Sequence, residues 1–225
     1  MASYKAPLRD MRFVLYELHD AEGLTALPGY AEMKRDLLDP VLEESAKFCE
    51  EVLQPLNRSG DEEGCHYENG VVRTPKGFKE AFKQYGEQGW SGLGAPAEFG
   101  GSNLPNFITL VFGEMAQSAN QAFTMYPGLS AAACSALIAT GAPWMKEHIV
   151  PKMVSGEWTG TMCLTEPHCG TDLRLMKTRA VEQPDGTWWV NDVTIASPGI
   201  WTVRVLVQPS QGDAVLLDAP IVIEP

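Results

Sequence analysis

The residues best suited to chemistry lie in residues 161–172, with the sequence TMCLTEPHCGTD. The apolar start predicts a strand over residues 158–165, and Pro167 must end its pairing because proline has no N–H to donate. Gly170 permits a close approach that a Cβ would block. The hydroxyls of Thr165 and Thr171, with the amides of the turn, could bind an anion or a polar ring. The alternative is a polar turn that connects two strands.

Other reactive side chains near this turn receive structural interpretations. Glu166 is expected to fix the turn by accepting backbone hydrogen bonds, rather than to act as a base. His168 is interpreted as an exposed turn residue, and Cys163 and Cys169 as packing residues. No pair of the five cysteines has C-x-x-C spacing, which argues against a disulfide framework and a structural zinc site. We therefore expect no metal, and we expect a reducing, cytoplasmic compartment.

Composition excludes some classes of partner. The 225 residues have a formal net charge of -12, which argues against nucleic acid and anionic membranes as bulk partners. A local basic pocket for a phosphate is still compatible with that balance. We expect no secretory signal, because no apolar segment follows the first residues, and no membrane span, because residues 128–143, the longest weakly polar stretch, are too short.

Helical periodicity dominates the first two thirds of the chain. The pattern predicts a helix over residues 10–18 in an N-terminal arm that packs on another element. A second helix is predicted with Asp39 as its N-cap and Pro40 at its first position. It should end at Pro55, and residues 57–72 should form a surface loop. The residues predicted to be buried on this helix recur at steps of three and four: Leu42, Ala46, Cys49, Leu53 and Leu56.

The following segments alternate between helices and turns. A helix after Thr74 and Pro75 should bury Phe78, Ala81, Phe82 and Tyr85, and residues 90–103 should form a compact glycine-rich loop. Helices are predicted over residues 105–119 and 121–140, the second with a buried alanine-rich face at residues 131–139. A last helix over residues 143–153 should kink near Pro151 and end at Gly156. Beyond it, residues 178–183 and 187–191 are predicted to form a β-hairpin.

Several motifs in this order resemble the acyl-CoA dehydrogenase family. They are SGEW at residues 155–158, CLTEPHCGTD at residues 163–172, KTRA at residues 177–180 and APAEFGG at residues 95–101. The opening, YKAPLRDMRFVL, resembles the N-terminal extension of a subgroup that includes the methylmercaptopropionyl-CoA dehydrogenases. The resemblance covers about residues 4–191. Several motifs in the right order are far more specific than the T-E-P element alone.

The resemblance implies an α+β fold, in which an N-terminal helical bundle precedes an antiparallel β domain that is incomplete. It divides the chain into an N-terminal extension (1–35), a helical domain (36–157), the start of a middle β domain (158–191) and a divergent β tail (192–225). It also implies FAD-dependent α,β-dehydrogenation of an acyl-CoA thioester, an electron-transfer acceptor and a homo-oligomer.

The family motif also suggests roles for individual residues. By resemblance, Met162 and Leu164 would lie beside the flavin ring through their backbone, and Thr165 would hydrogen-bond the polar edge of that ring. Gly170 and Thr171 would approach the pyrophosphate, and Thr171 would also face the substrate.

The resemblance weakens after residue 191. Asp192 stands where the family has glycine, and residues 201–207 alternate as in the last strands of a β-sandwich. The family's catalytic glutamate belongs to the C-terminal bundle, so we expect no catalytic residue here and a truncated or spliced enzyme. The alternatives are a non-catalytic helical-plus-β interaction protein, or a β-sandwich module fused to a remnant that no longer binds FAD.

Overall fold

A computed structural model describes residues 3–162, 164–184, 188–191, 199–207 and 215–223. The chain divides into two units. The first contains residues 1–68 and 72–161, and the second contains residues 69–71 and 162–225. The first is helical, and the described strands of the second form antiparallel hairpins.

The N-terminal arm packs against the first long helix, as the sequence predicts. The arm contains α1 (Leu8–Arg12), followed by a π-helical turn (Phe13–Leu18). Met11, Leu15 and Tyr16 are buried in the main core. The guanidinium of Arg12 lies 3.1 Å from Asp39 and 2.6 Å from Glu43, and the Tyr16 hydroxyl donates to Asp39 at 3.0 Å. The arm is therefore held by buried apolar side chains and, at the edge of this packed surface, by polar contacts with the first long helix.

The predicted start of the next helix is wrong. Helix α2 (Arg35–Phe48) begins at the N-cap Lys34, and Pro40 lies inside it. The Asp39 carboxylate accepts hydrogen bonds from the arm, so it does not cap the helix. Its buried face is as predicted, with Leu42, Ala46, Cys49 and Leu53 buried and Leu56 partly buried.

The chain also stays helical beyond Pro55, against the prediction of a loop. A π-helical turn (Cys49–Leu53) leads into α3 (Gln54–Glu63), where Pro55 occupies the first turn. Proline costs little there because its N–H would have no partner within the helix. Two short strands follow, β1 (His66–Glu68) and β2 (Val71–Arg73), which form a two-stranded sheet.

Helix α4 (Phe78–Glu87) begins later than the Thr74-Pro75 signal predicts, because Gly77 in the left-handed conformation starts it. The buried side chains are the predicted Phe78, Ala81 and Tyr85, with Phe82 partly buried. The aromatic side chains of α4 belong to a cluster in which neighbouring ring centroids are 4.9–6.4 Å apart. Its members are Phe48, Phe78, Phe82, Tyr85, Trp90, Phe112, Phe123 and Tyr126.

Helix α5 (Asn106–Thr140) consists of two helices joined at Asn120, in agreement with the predicted pair. Asn120 has φ -160° and ψ 89° and is fully buried. Its Oδ1 accepts from the Phe123 N–H at 3.0 Å, while its Nδ2 donates to the Leu53 carbonyl at 3.1 Å. The side chain thus caps the second helix and ties it to the turn before α3.

By length and composition alone, α5 is the one helix among the described residues that could cross a membrane. Core helices of globular proteins satisfy the same criterion, so this is weak evidence. Only 11% of its most apolar window is buried. The prediction of a buried alanine face is wrong, because Ala131, Ala132, Ala136 and Ala139 are exposed. Within the first unit, the small second core lies around Cys134 on a different face.

That second core holds the end of the helical unit. Helices α6 (Pro143–His148) and α7 (Val150–Val154) are separated at Ile149, close to the predicted kink at Pro151. Val150, Met153 and Val154 pack with Cys134. The loop after α4 is compact, as predicted: the N–H groups of Ser102, Asn103 and Leu104 each donate at 2.9 Å to carbonyls of residues 92–95.

The second unit begins with irregular backbone instead of the predicted strand at residues 158–165. Among the described residues of this segment, none pairs in a sheet, and a strand without a partner is not stable. The predicted hairpin is present as β3 (Arg179–Glu182) and β4 (Trp188–Asn191), with Arg179 opposite Asn191. Strands β5 (Gly199–Val207) and β6 (Val215–Ile223) form another antiparallel pair.

Candidate functional site: an anchored turn and a helical cavity

The turn at residues 166–169 is closed by two backbone hydrogen bonds. The Glu166 N–H donates to the Cys169 carbonyl at 3.0 Å, and the Cys169 N–H donates back to the Glu166 carbonyl at 3.1 Å. Pro167 and His168 occupy the two central positions, where the fixed φ of proline suits a tight turn. The local sequence therefore folds back on itself over four residues.

Glu166 anchors this turn to the start of β3. Its carboxylate accepts from the backbone N–H of Lys177 at 3.0 and 3.2 Å and from that of Thr178 at 2.9 Å. These bonds, together with a smaller effect of the neighbouring His168, lower the pKa of Glu166 to about 2. A carboxylate so weakly basic is unsuited to general-base catalysis near neutral pH. The structural role predicted for Glu166 is confirmed.

Two further sets of contacts fix the backbone within and just after the turn. The His168 Nε2 lies 2.9 Å from the Leu175 carbonyl, and the ring is exposed as predicted. The Asp172 carboxylate accepts from the N–H and guanidinium of Arg174, and these hydrogen bonds lower the pKa of Asp172. Asp172 thereby caps a short 3-10 helix (Leu173–Leu175).

One group of side chains at the turn has metal-ligand chemistry. Donor atoms of Glu166, His168 and Cys169 lie within 4.8 Å of one another. The Glu166 oxygens already accept hydrogen bonds from backbone N–H groups, and His168 Nε2 lies 2.9 Å from the Leu175 carbonyl and 3.4 Å from a Glu166 oxygen. The absence of a metal therefore stays a prediction, and these contacts give no support for one.

The turn exposes the residues that the sequence predicts as a flavin site. Met162 and Leu164 have 57% and 38% of their surface exposed, which is unusual for such apolar side chains, and Thr165 and Thr171 are also exposed. Thr165 lies beside Gly170: a Cβ built on Gly170 would be 3.8 Å from Thr165 Cγ2, and no other atom would be within 4 Å. Thr165 and Gly170 are therefore neighbours in the folded turn.

These residues fit one face of a flavin nucleotide site. Within the described part of the chain, the N–H groups of Gly170 and Thr171 donate to no protein acceptor. Free amides beside hydroxyls suit phosphate oxygens or the polar edge of a ring, and exposed apolar side chains suit a ring face. The open space above Gly170 leaves those amides accessible. The individual roles of the five residues stay predictions.

The helical unit contains a cavity of about 550 Å³, which we call the helix cavity. Its wall includes the stacked rings of Trp90 and Phe112, with centroids 4.9 Å apart, and the side chain of Phe123. Gly113 and Ala131, on two different turns of α5, also line the cavity, and their small size leaves space for it. Sequence reasoning placed Ala131 on a buried helical face and did not predict this cavity; glycine and alanine on an apolar helical face were the available signal for it.

The comparisons with known proteins define the class. The family model described as acyl-CoA dehydrogenase, N-terminal domain, matches residues 38–157. This chain therefore belongs to the acyl-CoA dehydrogenase family, as the motifs suggested. Members of the family are FAD-dependent flavoproteins, which confirms the predicted cofactor at the level of the family.

Individual relatives match most of this chain. It is 39% identical over 193 residues to 3-methylmercaptopropionyl-CoA dehydrogenase of Ruegeria pomeroyi, covering 86% of this chain and 33% of that protein. It is 32% identical to a butyryl-CoA dehydrogenase of Syntrophomonas wolfei, covering 79% of this chain and 30% of that protein. The chain thus spans about a third of the length of these curated relatives.

Solved structures support the fold. Butyryl-CoA dehydrogenase from Megasphaera elsdenii aligns with a TM-score of 0.57 at 21% identity, covering 83% of this chain and 48% of that one. A glutaryl-CoA dehydrogenase bound to glutaryl-CoA gives the same TM-score at 22% identity, covering 73% and 38%. The predicted fold class, a helical bundle followed by an incomplete antiparallel β domain, is confirmed.

Proposed function

We propose that this chain supplies the helical acyl-binding wall and the flavin-binding turn of an FAD-dependent acyl-CoA dehydrogenase. The observation that carries the proposal is the anchored turn, where Glu166 fixes the backbone while Gly170 and Thr171 present free amides. The family's chemistry needs such a rigid surface, since a ring held loosely cannot be aligned with a substrate carbon.

The residues of the turn would divide the work of holding the cofactor. Met162 and Leu164 would cover a ring face, Thr165 would donate to its polar edge, and Gly170 and Thr171 would bind the pyrophosphate. Thr171 would also contact the substrate. When bound, FAD would supply the electrophilic ring that accepts a hydride from the β-carbon of an acyl-CoA.

The helix cavity is proposed as the place for the acyl chain. Its wall is built from aromatic and small apolar side chains, and its volume of about 550 Å³ is adequate for a short or medium chain. The sulfur-containing substrate of the Ruegeria pomeroyi relative is one candidate within this class. An electron-transfer acceptor, a homo-oligomeric assembly and a cytoplasmic location are further parts of the proposal.

We also propose that residues 1–225 do not turn over substrate by themselves. The resemblance assigns the catalytic base to a C-terminal bundle, and the carboxylate that follows Thr165, Glu166, has a pKa of about 2. Acyl-CoA-dependent bleaching of bound flavin would contradict it.

Cofactor binding is tested by titrating the purified chain with FAD and following flavin fluorescence. Saturable binding is expected, and Gly170→Ala should weaken it about tenfold, because a methyl group would block a charge-assisted contact to the amides. A folded chain that takes up no FAD would instead support a non-catalytic interaction protein.

Acyl binding is tested with butyryl-CoA by calorimetry. Gly113→Leu should abolish binding, because a Cβ at Gly113 meets no atom within 4 Å and the added side chain would occupy the cavity. Gln121→Leu, at an exposed position on the same helix, is the control and should leave the affinity unchanged. Equal loss in both variants would show that α5 was disturbed as a whole.

A further inference from the structure

A second and larger cavity in the helical unit has a different character. We call it the basic-rim cavity; its volume is about 930 Å³. Its apolar wall includes Phe78, Phe82, Met125, Tyr126 and Leu129. Nothing in the proposed reaction uses this cavity, and its lining shares no residue with that of the helix cavity.

The apolar wall packs against the aromatic cluster on one side and is exposed to solvent on the other. Phe78 is buried and stands edge-on to Tyr126, with ring centroids 6.4 Å apart and planes at 88°. Met125 is 58% exposed and Tyr126 is 37% exposed, although both are large and partly or wholly apolar. An apolar surface left open beside a packed aromatic cluster suits an apolar ligand.

Three cations line the cavity together with this apolar wall. Arg73, Lys76 and Lys79 line the cavity, and all three are exposed. In the described part of the chain none of them forms an ion pair with a carboxylate. Glu80 is the single acidic residue in the lining, so the rim has a net positive charge.

This local charge is opposite to that of the whole protein. The chain has 29 acidic and 17 basic residues, so three unpaired cations around one cavity are not what the average surface provides. Glu63, the last residue of α3, accepts a hydrogen bond from the backbone N–H of Lys76 at 3.0 Å. That contact fixes the backbone at the rim without using the ammonium group.

We propose that the basic-rim cavity binds an amphipathic anion, namely an alkyl chain with a terminal carboxylate or phosphate. The apolar tail would lie against Phe78, Phe82 and Leu129, and the anionic head would be held by Lys76 and Lys79, with Arg73 on the same rim. A free fatty acid and a single-chain phospholipid share this chemistry.

The test is calorimetric titration of the full chain with dodecanoate, dodecyl phosphate and dodecanol, each below its micelle concentration. Both anions should bind saturably, at one site, and more weakly at high salt. The tighter of the two identifies the source of the head group as a fatty acid or a phospholipid. Dodecanol should bind at least tenfold more weakly; equal affinity for dodecanol would overturn the role of the cations.

Variants locate the site. Lys76→Gln/Lys79→Gln should raise the Kd for dodecanoate about tenfold, since each exposed charge pair contributes on the order of threefold to affinity. Lys83→Gln is the matched control: Lys83 lies on α4, as Lys79 does, but outside the lining, and the change removes only the ion pair with Glu87 at 3.6 Å. Its Kd should stay within twofold of the unmodified chain.

A steric pair separates the two cavities. Leu129→Trp should abolish dodecanoate binding by filling the basic-rim cavity, while Gly113→Leu, in the helix cavity, should leave it intact. The urea midpoint of each variant shows that it is folded. Loss of dodecanoate binding with Gly113→Leu alone would assign the ligand to the helix cavity and overturn the inference.

Discussion

Replacing Asn120 by alanine should loosen the helix that forms a wall of both cavities. The change removes the acceptor of the Phe123 N–H and the donor to the Leu53 carbonyl, at bond lengths of 3.0 and 3.1 Å. Loss of a helix cap costs about 1 kcal/mol. Loss of a second buried hydrogen bond adds about 1 kcal/mol. The free energy of unfolding should therefore fall by about 2 kcal/mol.

Urea unfolding, followed by circular dichroism at 222 nm, measures this change. With a slope of about 2 kcal/mol per molar urea, the midpoint should fall by about 1 M. Gln121→Ala, one residue further along and exposed, should shift the midpoint by less than about 0.3 M, since most exposed substitutions change stability by under about 0.5 kcal/mol.

Asn120→Asp separates the two bonds. It keeps an acceptor for the Phe123 N–H but loses the donor to Leu53 and buries a charge at a fully buried position. It should be at least as destabilising as alanine near neutral pH. Equal midpoints for Asn120→Ala and Gln121→Ala would refute the view that Asn120 holds the break in α5.

Other changes test the second unit, the glycines and the arm. Gly170→Ala should weaken FAD binding without shifting the urea midpoint, because its Cβ would meet only Thr165 Cγ2 at 3.8 Å; Gly160→Ala should cost about 1–3 kcal/mol instead, because its Cβ would lie 2.7 Å from Ala133 Cβ. The pKa of Glu166, about 2 against an ordinary 4.5, means that the unfolded chain takes up this proton first as the pH falls. After correction for the intrinsic rate, protection of the Lys177 and Thr178 amides from exchange should therefore be constant above about pH 4.5 and should fall towards pH 2. Glu166→Gln should reduce this protection at neutral pH and make it less dependent on pH. An unchanged profile would contradict the role of Glu166 as the anchor of the turn. Arg12→Gln should increase proteolysis of residues 1–29 while costing under about 1 kcal/mol, since its ion pairs are partly exposed; an unchanged cleavage rate would show that the apolar contacts alone hold the arm.

Periodicity predicted the buried faces more accurately than the helix ends. Leu42, Ala46, Cys49 and Leu53 are buried as predicted, because a repeat of three and four must face a core wherever the helix begins. The cap at Asp39 was wrong because its carboxylate bonds to Arg12 and Tyr16, which lie 27 and 23 residues earlier in the chain. Local capping rules contain no information about such distant partners.

In the candidate sites too, features that depend on nearby residues could be predicted, and features that depend on distant residues could not. The role of Glu166 could be predicted because a carboxylate inside a tight turn has few partners besides nearby backbone N–H groups. The basic-rim cavity could not be located, although the composition left room for a local basic pocket. Arg73 and Lys79 come from the two sides of Gly77, and Tyr126 comes from a different helix, so only the folded chain brings them to one cavity.

One helical segment after Asn120 is shared by the two cavities. Residues 124, 127, 128 and 131 line the helix cavity, while residues 125, 126 and 129 line the basic-rim cavity. The spacing of three and four on each side places the two sets on different faces of one helix. Phe123, which packs with Phe78 and also lines the helix cavity, joins the two faces. Variants on either face should therefore affect their own ligand independently, whereas a change at Phe123 or at the capping Asn120 should affect both. A double variant of Leu129→Trp and Gly113→Leu, which fill one cavity each, tests whether the two cavities are independent. If they are, its effect on stability should equal the sum of the single effects to within about 0.5 kcal/mol.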